Sequence, residues 1–551
     1  MGNVSKQARR GFPAPRDIGL PQKFASWRNN QEDAINEFLD CKRDYLAQCM
    51  PTGSGKSLTY VSDAVLSGAS TVILTSTKAL QTQLLGDFSE IGMVEIKGKN
   101  AYRCVEDRYG RGCDYGDCNF GLMCDRQRSG CHYYDALASA RTGRLVVTNY
   151  AYWLTMNRFA EGLKKPELLV MDEAHHAETH LAHTFSFHIR PKEIDSLLMM
   201  KIPSSLSHLS PWADKAWAEA DTHYEHEKFE FQQRGTGDKD LLRRIKGLRD
   251  KLEILRKHAA DADWLIELQD GIKFCPIWPK QYARTTLFKN TSRVLMTSAT
   301  VRPKTVEMLG LVPEVGRGGQ MAKAEVLMAR VGPSGKNTAA GASGPACTFS
   351  DYPSIFDPER RLVIHIPTVR VNHHTTKEDY LVWLKRIDQI ITPRLHQKGI
   401  IHTVSYDRRN YVMEHSEHAE HMVTHTTDSV VTAVAKFKKA DPPAVLVSPS
   451  VTTGFDFPYD QCRWQIIGKL PFPDTRDRLT RARIERDPEY GAYLAMQSLV
   501  QASGRGTRAP NDSCVSFLID DSAFWFMRRF ARFAPRWFMD GYRTSGLIPQ
   551  V

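Results

Sequence analysis

Two stretches of this chain carry groups suited to handling phosphate. An apolar run from Tyr45 to Met50 leads into Pro51-Thr52-Gly53-Ser54-Gly55-Lys56-Ser57, and a helical pattern follows through Leu66. In a strand, a glycine-rich turn and a helix in that order, the backbone N–H groups of Thr52, Gly53, Ser54 and Gly55 can curl around phosphate oxygens at a positive helix end. Lys56 is then placed to reach the β- and γ-phosphates of ATP, and Ser57 to set its hydroxyl on Mg²⁺. Met50 stands where the strict pattern has its leading glycine. The second stretch, Leu168-Leu-Val-Met-Asp172-Glu173-Ala-His175, is an apolar strand ending in two carboxylates. Asp172 suits a metal-held water, and Glu173 suits polarising the attacking water. Far downstream, Arg505 and Arg508 lie three apart and could reach a γ-phosphate from another lobe.

Sulfur is the next chemistry. Five of the eleven cysteines (Cys104, Cys113, Cys118, Cys124 and Cys131) fall within 28 residues. In a reducing compartment such a cluster reads as a metal or iron–sulfur site and not as disulfides. Structural zinc usually shows a CxxC knuckle, and none occurs here. The same segment carries Arg103, Arg108, Arg111, Arg126, Arg128, Arg141 and Arg144, with Tyr102, Tyr109, Tyr133 and Tyr134 as candidate base-stacking groups. The run Glu414 to His425 has histidines at three- and four-residue spacing, better read as a solvated helix face than as a metal site.

These groups need a scaffold. The chain has 551 residues, enough for three or four domains. With 74 Lys+Arg against 63 Asp+Glu its net charge is +11, and its pI is near 9.0, which favours a polyanionic partner. No apolar window long enough to span a membrane appears, and the polar N-terminus lacks the apolar core of a secretory signal, so a cytoplasmic protein is expected. Alternating strand and helix patterns imply an α/β fold. Strands are expected at 72–74, 94–96, 145–148 and up to 170, and again at 362–366, 399–404, 444–447, 464–467 and 515–519. Residues 190–285 are charged and helical. Leu241, Ile245, Leu248, Leu252 and Leu255 form a short heptad seam, expected to pair with an antiparallel partner around Trp264 to Leu268. Gly332 to Pro345 reads as a flexible loop within the second α/β region.

Six ordered blocks resemble the XPD/DinG group of superfamily-two iron–sulfur helicases. They are PTGSGKS at 51–57, LTSTKAL at 74–80, DEAH at 172–175, TSAT at 297–300, TTGFDFP at 452–458 and QASGRGTR at 501–508. The flanks of Cys104 and Cys131 and the segment Ile467 to Pro473 are similar as well. The resemblance implies two RecA-like parallel-sheet motor domains, the first carrying a cysteine-rich iron–sulfur insertion and a helical arch. Its boundaries would be 1–100, 146–189 and 286–304 for the first motor domain, 101–145 for the cluster domain, 190–285 for the arch and 305–551 for the second motor domain. It implies ATP contacts at Gly53, Gly55, Lys56 and Ser57, with Gln31 near adenine. His175, Ser298 and Thr300 would couple hydrolysis to movement. Gln501, Arg505 and Arg508 would read the γ-phosphate, with Gly454 and Asp456 beside them. Thr453 departs from the acidic residue often found there.

The resemblance also implies a [4Fe–4S] cluster on Cys104, Cys118, Cys124 and Cys131, leaving Cys113 aside. The implied activity is ATP-dependent DNA unwinding, 5′-to-3′, on single-stranded and forked DNA, by a cytoplasmic, nucleoid-associated monomer. Thr75 to Lys78 and Asn149 to Tyr150 would be backbone contacts. An RNA or hybrid helicase, a translocase that strips proteins and a scaffold with a dead motor are the rivals; no nuclease motif is evident.

Overall fold

The computed structural model describes residues 12–127, 130–234, 237–316, 344–372, 374–449, 455–506 and 511–549. Runs of four to seven apolar and β-branched residues form the strands, and most are buried on both faces, as parallel sheets covered by helices demand. In the first lobe these are β1 (Tyr45–Cys49), β2 (Thr71–Thr75), β3 (Met93–Glu95), β4 (Leu145–Asn149) and β5 (Leu168–Asp172). A small antiparallel sheet follows, made of β6 (Phe187–Ile189), β7 (Trp264–Glu267) and β8 (Ile272–Pro276), ordered β6-β8-β7. The first lobe then adds β9 (Arg293–Ser298), β10 (Val312–Val315) and β11 (Ala346–Asp351). Its eight-stranded parallel sheet runs β10-β11-β1-β9-β5-β2-β4-β3.

The second lobe holds β12 (Val363–Val369), β13 (Lys398–His402), β14 (Met422–Val423), β15 (Ala444–Ser448), β16 (Trp464–Ile467), β17 (Val515–Asp520) and β18 (Tyr542–Thr544). They form one parallel sheet ordered β14-β15-β13-β16-β17-β12-β18. Two RecA-like α/β lobes are therefore present.

Two expectations change. The second motor domain does not begin at 305: β10 and β11 pair into the first sheet, β11 directly alongside β1 with Tyr45 opposite Cys347. The lobe boundary falls between Asp351 and Val363. The loop expected at Gly332 to Pro345 belongs on the first-lobe side of that boundary, and most of it lies outside the described residues.

The arch seam also has another partner. Helix Lys239–His258 buries Leu242, Ile245, Leu248, Leu252 and Leu255. It packs against helix Leu209–Arg234, which offers Ala213, Ala216, Ala220, Tyr224 and Phe231. Small residues on one helix let the leucines of the other approach closely. Trp264 to Glu267 is strand β7 instead.

Candidate nucleotide cleft and cysteine module

Parallel strands gather chemistry at their C-terminal ends, where open α/β sheets bind ligands. β1, β9 and β5 are adjacent, with Cys49 opposite Ser298 and Asp172 opposite Thr297. Their ends therefore carry the glycine turn, the TSAT hydroxyls and the DEAH carboxylates to one edge. Gly53 and Gly55 adopt φ of 76° and 78°, a region that side chains disfavour. A Cβ on Gly55 would lie 2.5 Å from Gln31 Nε2, so contact as well as conformation requires glycine there.

Gln31 takes a structural part. Its amide donates to Ser54 O and Gly55 O, both at 3.0 Å, and its Oε1 accepts from Arg28 N at 2.7 Å. Both amide hydrogens brace the loop, leaving one Oε1 lone pair for a base. Arg28 Nη1 also donates to Gly53 O at 2.6 Å. The buried Ser54 hydroxyl has no partner among the described residues.

Asp172 is buried and its Oδ2 accepts from Tyr60 OH at 3.1 Å. Ser57 also hydrogen-bonds Tyr60, so one phenol joins the two proposed Mg²⁺ ligands. Burial, then the neighbouring Glu173 charge, push the Asp172 carboxyl up to about 6, against the pull of Lys56. For Glu173, burial acts upward, but Lys56, His175 and the Ser298 hydroxyl bring its pKa below the usual value. Tyr60 was not read from the sequence as a site residue, and Tyr150, expected as a backbone contact, instead donates its OH to Asp172 O at 3.0 Å. Tyr60 sits one helical turn beyond Ser57, which was the available signal.

The second lobe closes the cleft. Gln501 Nε2 lies 2.6 Å from His175 Nε2. His175 Nδ1 is 2.6 Å from Ser298 Oγ, which donates to Glu173 Oε2 at 3.1 Å. Burial, then His176, push the His175 pKa down to about 3, so the ring is neutral. With Gln501 donating to Nε2, the proton belongs on Nδ1 and points at Ser298. A continuous hydrogen-bonded line thus runs from the second lobe to the carboxylate expected to activate water. Arg505 donates to Phe455 O at 2.9 Å and pairs with Asp456 at 3.7 Å, and its charge acts on His175 and His176. Thr52 stands at the same boundary: a Cβ on Gly504 would be 3.6 Å from Thr52 Oγ1. Arg508, Thr453 and Gly454 lie outside the described residues.

Contacts missed from sequence hold the lobes together. Arg483 and Glu178, both almost fully buried, form a bidentate pair at 2.7 and 3.4 Å, and Arg483 also donates to Ile277 O and Tyr490 OH. Gln497 reaches Thr300 O, and Trp537 donates to Ala299 O at 3.0 Å. No local pattern announces the pairs that cross between lobes, because each of those spans more than 190 residues.

In the cysteine module a short hairpin (Arg103 opposite Gly112) and tight turns bring thiols together. Cys113 Sγ lies 3.9 Å from Cys131 Sγ, and both residues are buried, as is Cys104. Cys104 Sγ and Cys118 Sγ both approach Gly116, within 3.5 Å of where its Cβ would stand. Burial, then Cys131 and Cys104, push the Cys113 thiol up to about 12. Cys113, set aside from the sequence, is thus drawn into the group, while Cys124 is half-buried on the following loop. Among the described residues no three His, Cys, Asp or Glu side chains form a ready metal-binding group, the histidines of 414–425 included.

Of the four tyrosines only Tyr109 is exposed, at 83%. Tyr133 is buried against Tyr102 and bonds Tyr152 OH. Arg111 is held by Asp107 at 2.8 Å and Arg126 by Glu106 at 3.0 Å, while Arg103, Arg108, Arg141 and Arg144 are exposed; the side chain of Arg128 is outside the described residues. The module is stitched to the arch by Arg243–Asp114 at 2.9 Å, by Lys239–Asp117 and by Phe120 against Phe231. Two backbone-contact candidates are otherwise engaged: Tyr150 is fully buried, and Asn149 caps its helix by accepting from Tyr152 N.

Comparisons with known proteins agree with this geometry. Residues 28–192 match the DEAD/DEAH box helicase family and residues 391–540 the helicase C-terminal domain family. Among curated proteins none matches the sequence. A solved XPD helicase is similar in fold with a TM-score of 0.57 at 14% identity, over 94% of this chain and 98% of that one. Xpd4 of S. tokodaii gives 0.55 at 13% identity, over 94% and 98%. Helicase family models thus match both lobes, and along nearly its whole length the chain shares the fold of XPD helicases.

Proposed function

We propose that this chain is an ATP-driven DNA helicase that moves 5′-to-3′ along single strands and parts forked duplexes against its cysteine module. The observation that carries the reading is the line Gln501–His175–Ser298–Glu173, which ties the second lobe to the water-activating carboxylate beside the glycine turn. ATP would lie in that cleft, with Lys56 on its phosphates, Arg505 and Arg508 facing from the other lobe, and Asp456 holding Arg505. Ser57 and Asp172 would hold Mg²⁺, whose charge offsets that of the phosphates. Glu173, ionised and aligned by Ser298, takes the proton of the attacking water. Lobe motion reaches Glu173 through Gln501 and His175, so strand movement and hydrolysis share one set of bonds. The +11 net charge and the exposed Arg103, Arg108 and Tyr109 support a nucleic-acid partner. No helix among the described residues is long and apolar enough to cross a membrane. A cytoplasmic monomer is the form we propose.

Five cysteines within 28 residues support the proposal of a [4Fe–4S] cluster, whose four thiolates would have to draw together around it and which would brace the module as a rigid wedge. Because Cys113 converges on Cys131, we propose Cys104, Cys113, Cys118 and Cys131 as the ligands, with Cys124 the alternative to Cys113. Iron and zinc analysis of anaerobically purified protein tests it. Cys113→Ser should lose most of its iron and its absorbance near 400 nm, while Cys124→Ser should keep them. The reverse outcome would restore Cys124 as the ligand, and one zinc per chain without iron would end the cluster proposal.

The motor is tested on forked substrates tailed on one strand or the other, in DNA and in RNA. Unwinding should require a 5′ DNA tail. Strand separation only on RNA, or streptavidin displacement without separation, would favour the rivals.

A further inference from the structure

Arg505 can act on a γ-phosphate only if the turn that carries it is fixed. It lies two residues beyond helix Tyr490–Ser503. The last carbonyls of a helix have no partner within it and must find one elsewhere. Here Gly504 N and Ser503 Oγ donate to Val500 O at 3.2 and 2.9 Å, and Arg505 N donates to Ala502 O at 3.3 Å. The final carbonyl, that of Ser503, is taken by a side chain from the sheet: Gln465 Nε2 donates to it at 3.0 Å.

Gln465 stands on β16 and is fully buried. Its amide also donates to Ser516 Oγ on β17 at 2.7 Å, and its Oε1 lies 3.2 Å from His402 Nε2 on β13. A carbonyl only accepts, so Ser503 O fixes which end of the amide faces the helix, and the oxygen must face His402. His402 is buried as well. Burial lowers its pKa to about 4, against the Gln465 hydrogen bond and together with the charge of Arg505, so the ring is neutral and its one proton sits on Nε2. A buried polar line thus runs from β13 through β16 to the residue two before Arg505. The other residues of β16 are Trp464, Ile466 and Ile467, all buried and apolar. An amide among them costs stability unless its bonds are made, so what it holds is the reason for its presence. Neither Gln465 nor His402 belongs to the six blocks read from the sequence.

We propose that Gln465, oriented by His402, is a positioning residue for Arg505: it pins the end of helix Tyr490–Ser503 so that the guanidinium faces the γ-phosphate. The proposal rests on the ATPase reading above.

Single-turnover ATP cleavage by the full chain with single-stranded DNA, followed by rapid quench over a range of ATP concentrations, tests it. Gln465→Met keeps an unbranched side chain of similar length and removes the donor. Its maximal cleavage rate should fall about tenfold, with half-saturating ATP within about twofold of wild type. In an Arg505→Ala chain the same substitution should cost less than about twofold, because the group it positions is gone. Ser516→Ala leaves the bond to Ser503 intact and should stay within about twofold of wild type; a loss matching that of Gln465→Met would assign the effect to the core in general and overturn the proposal. His402→Leu, which removes only the donor to Oε1, should cost about threefold with the same dependence on Arg505, and it decides the matter if Gln465→Met fails to fold. Equal losses in the two backgrounds, or no loss, overturn the positioning role alone. An Arg505→Ala chain as active as wild type, or a wild-type chain that cleaves no ATP, sinks the reading of the cleft and this proposal with it.

Discussion

Glu173→Gln is expected to lower ATP turnover by about a thousandfold while ATP still binds. A positioned general base contributes ~10²–10⁴ in rate, so the loss corresponds to roughly 4 kcal/mol of barrier. The carboxylate is held at φ of 49° by the tight turn after β5, and it accepts from Ser298 Oγ at 3.1 Å with His175 Nδ1 3.3 Å away. Glutamine preserves this shape and can still accept from Ser298, so the fold should be unaffected. It cannot take a proton from water. Quench-flow turnover together with equilibrium nucleotide binding checks the expectation. Turnover within tenfold of wild type would assign the base elsewhere and leave the hydrogen-bonded line from Gln501 without a chemical purpose.

The second large effect belongs to Lys56→Ala, for which turnover should fall at least a thousandfold, with ATP binding weakened at least tenfold. The expectation combines two causes. Lys56 is the clamp for the β- and γ-phosphates. Its charge also holds down the pKa values of both Asp172 and Glu173 in a buried site. Without it, burial drives both carboxyls upward and lowers the ionised fraction just where Glu173 must be charged. Raising pH should therefore recover a small part of the lost turnover in Lys56→Ala and none in Glu173→Gln. Melting temperatures of the two variants should stay near wild type, because neither side chain packs in the core. An active Lys56→Ala protein would contradict the placement of the triphosphate.

Much of this molecule was legible locally. The turn Pro51–Ser57 lies between an apolar strand and a helix within one short window, and such order is enough to specify a phosphate cradle. The heptad seam of the arch identified one helix and its buried face, because helical periodicity repeats every few residues. The expected strands of the second lobe likewise appear, as continuous apolar runs bounded by turns. What failed is instructive. β11 was not foreseen in the first lobe, since it joins β1 across about 300 residues of chain. The mixed run Ala-Cys-Thr-Phe-Ser-Asp declares a strand weakly and a sheet not at all.

The site divides in the same way. The amino-acid order by itself determined which side chains are chemically able to bind phosphate, hold a metal or gather iron. Only the tertiary structure decided which of them meet: Gln501 with His175, Tyr60 with Asp172, Cys113 with Cys131, Arg483 with Glu178. Residue type and short-range periodicity reflect the few neighbours each residue has along the backbone. These contacts close loops of 18 residues, for Cys113 with Cys131, up to 326, for Gln501 with His175; the entropic cost of closure grows only slowly with length, so the sequence between two partners carries almost no trace of their meeting.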